Sequence, residues 1–115
     1  MSTVNRIVVR LQVEGIHRWE GCDIPEVSFL KNNHRHIFYI EAKKKVSHLD
    51  RDIEIICLKR AMLTFLHRNY NMCIDFGNKS CEMIANELMK EFALSSCSVL
   101  EDNENGAEVT LCDCG

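Results

Sequence analysis

Two histidines one residue apart, His34 and His36 in "NNHRHIFYIEA", begin a stretch rich in β-branched and aromatic residues. In an extended strand, residues i and i+2 project to the same side, so both imidazoles share a face and Arg35 takes the other. Imidazole is a common metal ligand, and a third donor from a neighbouring strand or loop would complete a site. His17, in "GIHRWEGC", is the candidate, because a hairpin would return the second strand alongside it. Three imidazoles with an open fourth position are the donor set of a catalytic zinc centre, which polarises a substrate oxygen or a bound water. The plainer reading of the same spacing is two exposed strand histidines and one loop histidine.

Two strands have to hold these rings. Residues 4–14, "VNRIVVRLQVE", alternate, with Val4, Arg6, Val8 and Arg10 on one parity and Ile7, Val9, Leu11 and Val13 on the other. Period two with β-branched residues predicts a strand with one apolar face. The loop "GIHRWEGCDIPEVSFLKNN" follows, and a second strand is expected from near Asn33 to about Ser47. In "DIEIICLKRAMLTFLHRNY", Ile53, Ile55 and Ile56 favour an extended lead-in. From Leu58 the stripe Leu58, Ala61, Met62, Phe65 and Leu66 has helical spacing. A second helical stripe, Cys81, Ile84, Ala85, Leu88 and Phe92, starts behind Ser80 as N-cap, with Glu82 favourable in the first turn. Between the helices "NYNMCIDFGNK" reads as a connector. Short strands at 95–102 and 107–112 meet around "NENG", where Asn105-Gly106 tolerates positive φ and marks a hairpin. The order β-β-α-α-β-β predicts an α+β fold, a four-stranded antiparallel sheet with both helices on one face.

Composition narrows the function. A chain of 115 residues suits one domain spanning 1–115, and 46% hydrophobic residues supply a core. A formal charge of −3 argues against a nucleic-acid footprint, and the run Lys43-Lys44-Lys45 beside Glu41 reads as a solvated strand end. No apolar stretch approaches membrane-spanning length and "MSTVNRIVVR" lacks the apolar block of a signal peptide, so a cytoplasmic protein is expected. The seven cysteines are odd in number. Cys57, Cys81 and Cys97 sit in apolar patterns as small hydrophobes, and Cys112-x-Cys114 is an oxidisable tail; reduced thiols are expected.

His17 in "GIHRWEGC", the pair in "HRHIFYIEA", then "IEIICLKRAM", "SCEMIA" and "CSVLED" follow one another along nearly the whole chain. Together they resemble the 6-pyruvoyl tetrahydropterin synthase and 6-carboxytetrahydropterin synthase family. Its pattern is a histidine after strand one, His-Gly-His opening strand two, an Asp-Phe-x-x-Leu-Lys helix start, a Thr-x-Glu-Asn helix start and a glutamate on a late strand. The resemblance implies the tunnelling fold, in which subunits join their sheets into a β-barrel, here as a homohexamer with active sites between subunits. It implies His17, His34 and His36 as zinc ligands, and a pterin or purine-like ligand. Glu101 would grip the ligand's amino-pyrimidine edge, since a carboxylate accepts two parallel N–H bonds from a guanidine-like edge. Asp102 and Glu104 compete for that role. Ser80 and Cys81 match the segment that contacts the same ring.

The family also uses a cysteine about six residues before the paired histidines, activated by an Asp-His pair ahead of the second helix. Ser28 occupies the first position here, and Cys22, in the same loop, is the remaining thiol. Asp75 matches the aspartate, but Phe76 stands in the histidine's place, leaving His67 and His48 as replacements. Two functions therefore compete. One is a zinc-dependent pterin-type lyase with Cys22 and Asp75 in catalytic roles. The other is a non-catalytic protein that captures a pterin or purine-like nucleotide.

Overall fold

The computed structural model of the protein describes residues 2–112. Two long strands dominate it, β1 (Asn5–His17) and β2 (His34–Val46), paired antiparallel from Asn5 opposite Val46 to His17 opposite His34. The alternation that predicts β1 continues three residues beyond Glu14: Val9, Leu11, Val13, Gly15 and His17 are buried while Arg10, Gln12 and Glu14 are exposed. On the exposed side, Arg10 bonds Glu41 at 2.7 Å and Arg35 bonds Glu14 at 2.8 Å, so these charges brace the strands across the sheet. A 3-10 helix, Pro25–Lys31, lies in the loop between β1 and β2.

The first helix, α1 (Ile55–Tyr70), begins three residues before the expected Leu58. Glu54 causes the difference. Its carboxylate accepts the N–H groups of Ile56 and Cys57, capping a turn that β-branched propensity alone disfavours. Only Leu58, Met62 and Leu66 of its stripe are buried, and Cys57 is exposed rather than part of the core. The second helix, α2 (Cys81–Phe92), starts as expected, with Ser80 Oγ accepting from the Met83 N–H at 3.2 Å.

Between the helices the expected connector contains a two-residue strand, β3 (Ile74–Asp75), parallel to β1 at Gly15 and Ile16. The last strands are β4 (Ser96–Glu101) and β5 (Asn105–Thr110). The sheet is thus five-stranded and mixed, in the order β3-β1-β2-β4-β5, and not the four-stranded antiparallel sheet expected. Two residues are too few for period two to register, and the pairing is fixed by tertiary contacts, the Phe76 N–H donating to Ile16 O and the Arg18 N–H to Gly77 O. The sheet is open and is not closed into a barrel by this chain.

The hairpin also turns elsewhere than expected. Asp102 and Asn103 carry the positive φ angles, 55° and 59°, and Asn105-Gly106 already belongs to β5. Gly106 is needed for close approach: a β-carbon there would fall 1.9 Å from the Val99 carbonyl oxygen.

One face of the sheet packs Val9, Leu11, Val13, Phe38, Ile40, Ala42, Cys97 and Val99 against Met62, Leu66, Ile84 and Leu88 of the helices. No helix among the described residues is long and apolar enough to cross a membrane. Cys22, Cys57, Cys73, Cys81 and Cys97 are thiols outside any disulfide; Cys114 lies outside the described residues.

Candidate metal centre

Strand register carries the histidines to one point. His17 stands opposite His34, Gly15 opposite His36, and Glu101 of β4 opposite Phe38 of β2. All lie on the face that α1 and α2 cover, at the end of the sheet where the apolar core gives way to polar side chains. The ring centroids are 4.5 Å apart for His17–His34, 5.0 Å for His34–His36 and 5.4 Å for His17–His36. Gly15, opposite His36, has little room for a side chain, since a β-carbon there would press on Ile74 O at 3.1 Å and the Phe38 ring at 3.3 Å. Phe38 closes the floor, edge-on to His17 and His36.

Each imidazole has one nitrogen already committed. His17 Nδ1 lies 2.9 Å from Lys79 O, His34 Nδ1 2.9 Å from Asn32 O, and His36 Nδ1 2.7 Å from Asp102 Oδ2. Carbonyl and carboxylate oxygens only accept, so each Nδ1 carries a proton and donates it. In the neutral ring, Nε2 is then the lone-pair atom, the arrangement in which a histidine ligates a metal. Nε2 of His17 and Nε2 of His36 are both buried without a hydrogen-bond partner.

Glu101 completes the set. Its Oε2 is 2.8 Å from His17 Nε2 and 3.6 Å from His36 Nε2. The shorter contact lacks hydrogen-bond alignment despite its length. Donors about 2 Å from a shared ion stand roughly 3–3.5 Å apart, and these two separations bracket that spacing. One ligand atom from each of His17, His34, His36 and Glu101 lies within 4.8 Å of the others, so the four could hold a metal ion. Three imidazoles and a carboxylate suit a borderline transition metal.

With no ion between them, the grouped side chains also shift one another's ionisation. The polar contact with His17 holds the Glu101 carboxyl below its ordinary value against the opposing effect of burial, helped by the nearby charges of His36 and His17. Burial pushes His17 down, but its contacts with Glu101 and Lys79 together outweigh that, and its value is raised. Burial, with the negative charge of Glu101 nearby, pushes the Cys81 thiol up to about 12, so it stays protonated.

The cluster faces a cleft of about 590 Å³ lined by His17, His34 and Glu101, with Ser80 and Cys81 from the start of α2 and with Trp19 and Met83. The structure therefore brings together His17, His34, His36, Glu101, Ser80 and Cys81. It does not bring Cys22 or Asp75 to them. Cys22 is buried in the loop with Sγ directed at Val27 O (3.6 Å) and Ile24 O (3.9 Å). Asp75 is exposed, its carboxylate accepting the Gly77 N–H at 2.8 Å. Phe76 packs in the core against Phe38 and Tyr70, and neither Ser28, His48 nor His67 lines the cleft.

Sequence reasoning did not find the orienting groups. Two of them, Asn32 O and Lys79 O, are main-chain atoms with no residue-type signal. Asp102, weighed only as a rival to Glu101, carried one: an acidic residue placed where a strand turns back beside the paired histidines. No protein-family model and no curated protein matches the chain, so the chemistry of this cleft is read from its own geometry.

Proposed function

We propose that the cleft is a zinc-dependent ligand site of the 6-pyruvoyl and 6-carboxytetrahydropterin synthase type. In this reading the chain has the tunnelling fold, and copies of it enclose the sheet face that carries Val8, Tyr39 and Leu100, giving a homohexamer. The observation that carries the proposal is that all three histidines place Nδ1 against an oxygen acceptor while one ligand atom from each gathers within 4.8 Å of the others. The ligand is a pterin or purine-type heterocycle, a planar ring suited to a cleft whose lining includes Trp19 and Met83.

His17, His34 and His36, with Glu101 beside them, would hold the zinc, which when bound would supply Lewis-acid polarisation of a ligand oxygen. The chain's own residues do the rest. Glu101 carries the negative charge that would face the ligand's N–H edge or balance the cation. The N-terminal turn of α2, with Ser80 at its cap, offers hydrogen-bonding groups to the ring. Phe38 closes the base of the cluster, edge-on to His17 and His36.

A specific observation favours capture without turnover. The thiol of Cys22 is turned to main-chain carbonyls and Asp75 is spent on a turn, so neither presents a base to the cleft. One experiment separates the readings. Zinc-loaded protein is incubated with dihydroneopterin triphosphate and with purine nucleotides, and the recovered ligand is identified by mass spectrometry. Conversion supports the lyase, and unchanged but retained ligand supports capture. Less than one zinc per three chains after zinc-supplemented expression removes the zinc-ligand assignment and most of the case for the lyase, and leaves capture to be decided by the recovered ligand.

A further inference from the structure

Asp102 does not line the cleft, yet it holds one of the rings of the cluster behind it, His36. We propose that Asp102 is a positioning residue for the metal centre. From the β4–β5 turn it locks His36 in the tautomer whose Nε2 lone pair faces the other donors. The inference rests on reading the cluster as a metal site.

Three bonds tie Asp102 to two consecutive residues of β2. Its N–H donates to Ile37 O at 2.8 Å, its Oδ1 accepts the Ile37 N–H at 3.0 Å, and its Oδ2 accepts from His36 Nδ1 at 2.7 Å. The residue sits at φ 55°, left-handed backbone that costs a side-chain-bearing residue about 1 kcal/mol or more. Asparagine tolerates that conformation as readily as aspartate and would also accept the Ile37 N–H. The turn and the backbone clamp therefore explain an Asx residue here, but not the acid.

His36 explains the acid. A carboxylate has only acceptors, so the ring must present Nδ1–H to it and leave Nε2 unprotonated. A carboxamide at the same place presents an NH2 group, which needs Nδ1 as acceptor and moves the ring proton to Nε2, where it would point at the metal position. A carboxylate partner also raises the basicity of the ligating nitrogen. His17 and His34 are oriented by main-chain carbonyls that no side-chain change removes. Of the three groups that face an Nδ1 of the cluster, Asp102 is the one that is a side chain.

The test is Asp102→Asn in the full chain, compared with the unaltered protein. Long-range ¹H–¹⁵N spectra of the metal-free proteins should show His36 as Nδ1–H in the parent and Nε2–H in D102N. Zinc competition against a chromophoric chelator should show D102N weakened about 10–100-fold, with the two metal-free proteins melting within a few degrees of each other. D102N with parental zinc affinity and an Nδ1–H His36 overturns the proposal and reduces Asp102 to a turn residue. Should D102N not fold, Asp102→Gly, relaxed at this φ, removes both acceptors; parental affinity in D102G is equally fatal. If the parent protein takes up no zinc, the metal-site reading fails, while the His36 spectra still decide whether Asp102 sets the ring.

Discussion

Glu101 Oε2 approaches His17 Nε2 to 2.8 Å although the two residues lie on β4 and β1, which do not pair. β2 runs between them, and Phe38 on it keeps both side chains on the covered face. The resemblance assigns Glu101 to the ligand's ring edge, whereas its position makes it a neighbour of the three imidazoles, in a group that could hold a metal ion. Glu101→Gln preserves shape and removes charge. If the carboxylate serves the metal, zinc affinity falls about tenfold or more. If it serves only the ring, zinc affinity holds and uptake of the pterin or purine is lost. Isothermal titration with zinc, then with the heterocycle, distinguishes the two.

His34→Ala is the cleanest ligand deletion. His34 is only half-buried, whereas His17 is buried and packs on Phe38, so removing His17 also opens the core. Metal-free H34A should unfold within about 0.5–1 kcal/mol of the parent. The rise in melting temperature that zinc gives the parent should be absent. A zinc-dependent rise that survives in H34A would count against the three-histidine centre.

The thiols should divide by environment. Cys81 and Cys97 are pushed up to about 12, in both cases chiefly by burial, so the reactive thiolate is scarce at neutral pH. Cys57 and Cys73 are exposed. Brief alkylation of the native protein, read by peptide mass mapping, should modify Cys57 and Cys73 well before Cys81 and Cys97. Equal rates would mean that the start of α2 opens readily.

Two glycines should respond very differently to alanine. At Gly106 the new β-carbon meets the Val99 carbonyl oxygen at 1.9 Å, a main-chain atom held in the β4–β5 ladder. The expected loss is about 3 kcal/mol or more. At Gly77, φ is +62° but nothing lies within 4 Å, so the loss is about 1 kcal/mol from backbone strain alone. Chemical denaturation of G106A and G77A measures both, and comparable losses would contradict the close approach of β4 to β5 at Gly106.

Asp52 gives a pH dependence away from the cluster. Its carboxylate accepts the Ser47 N–H and Oγ–H, both at 2.8 Å, and these bonds, the backbone one foremost, hold it below its ordinary value of 3.8. A depressed folded value means that the contribution is present above the unfolded value and lost as pH falls through the folded one. The stability gap between the parent and Asp52→Ala should therefore be constant near neutrality and narrow in acid below the usual carboxylate range. A gap that widens in acid would reverse the assignment.

The long strands were legible because Ile7, Val9, Leu11 and Val13 alternate cleanly, and α2 because Ser80 announces it. His34 and His36 were legible as a pair for the same reason, strand parity. Other features were hidden by being tertiary. β3 has no periodicity to detect, and α1 began early because one carboxylate, Glu54, capped it. The turn at Asp102-Asn103 was masked by Asn105-Gly106, whose glycine answers a steric demand from Val99 instead. The distance of Cys22 from the cleft followed from a 3-10 helix that spacing alone does not foresee.

The donors of the cluster come from the far end of β1, the near end of β2 and the last residue of β4. A chain still emerging during synthesis, or one cut before residue 101, possesses at most the closely spaced pair and its upstream partner. The three imidazoles are thus in place once β1 and β2 pair, and the fourth donor, Glu101, joins them only when β4 has docked on β2.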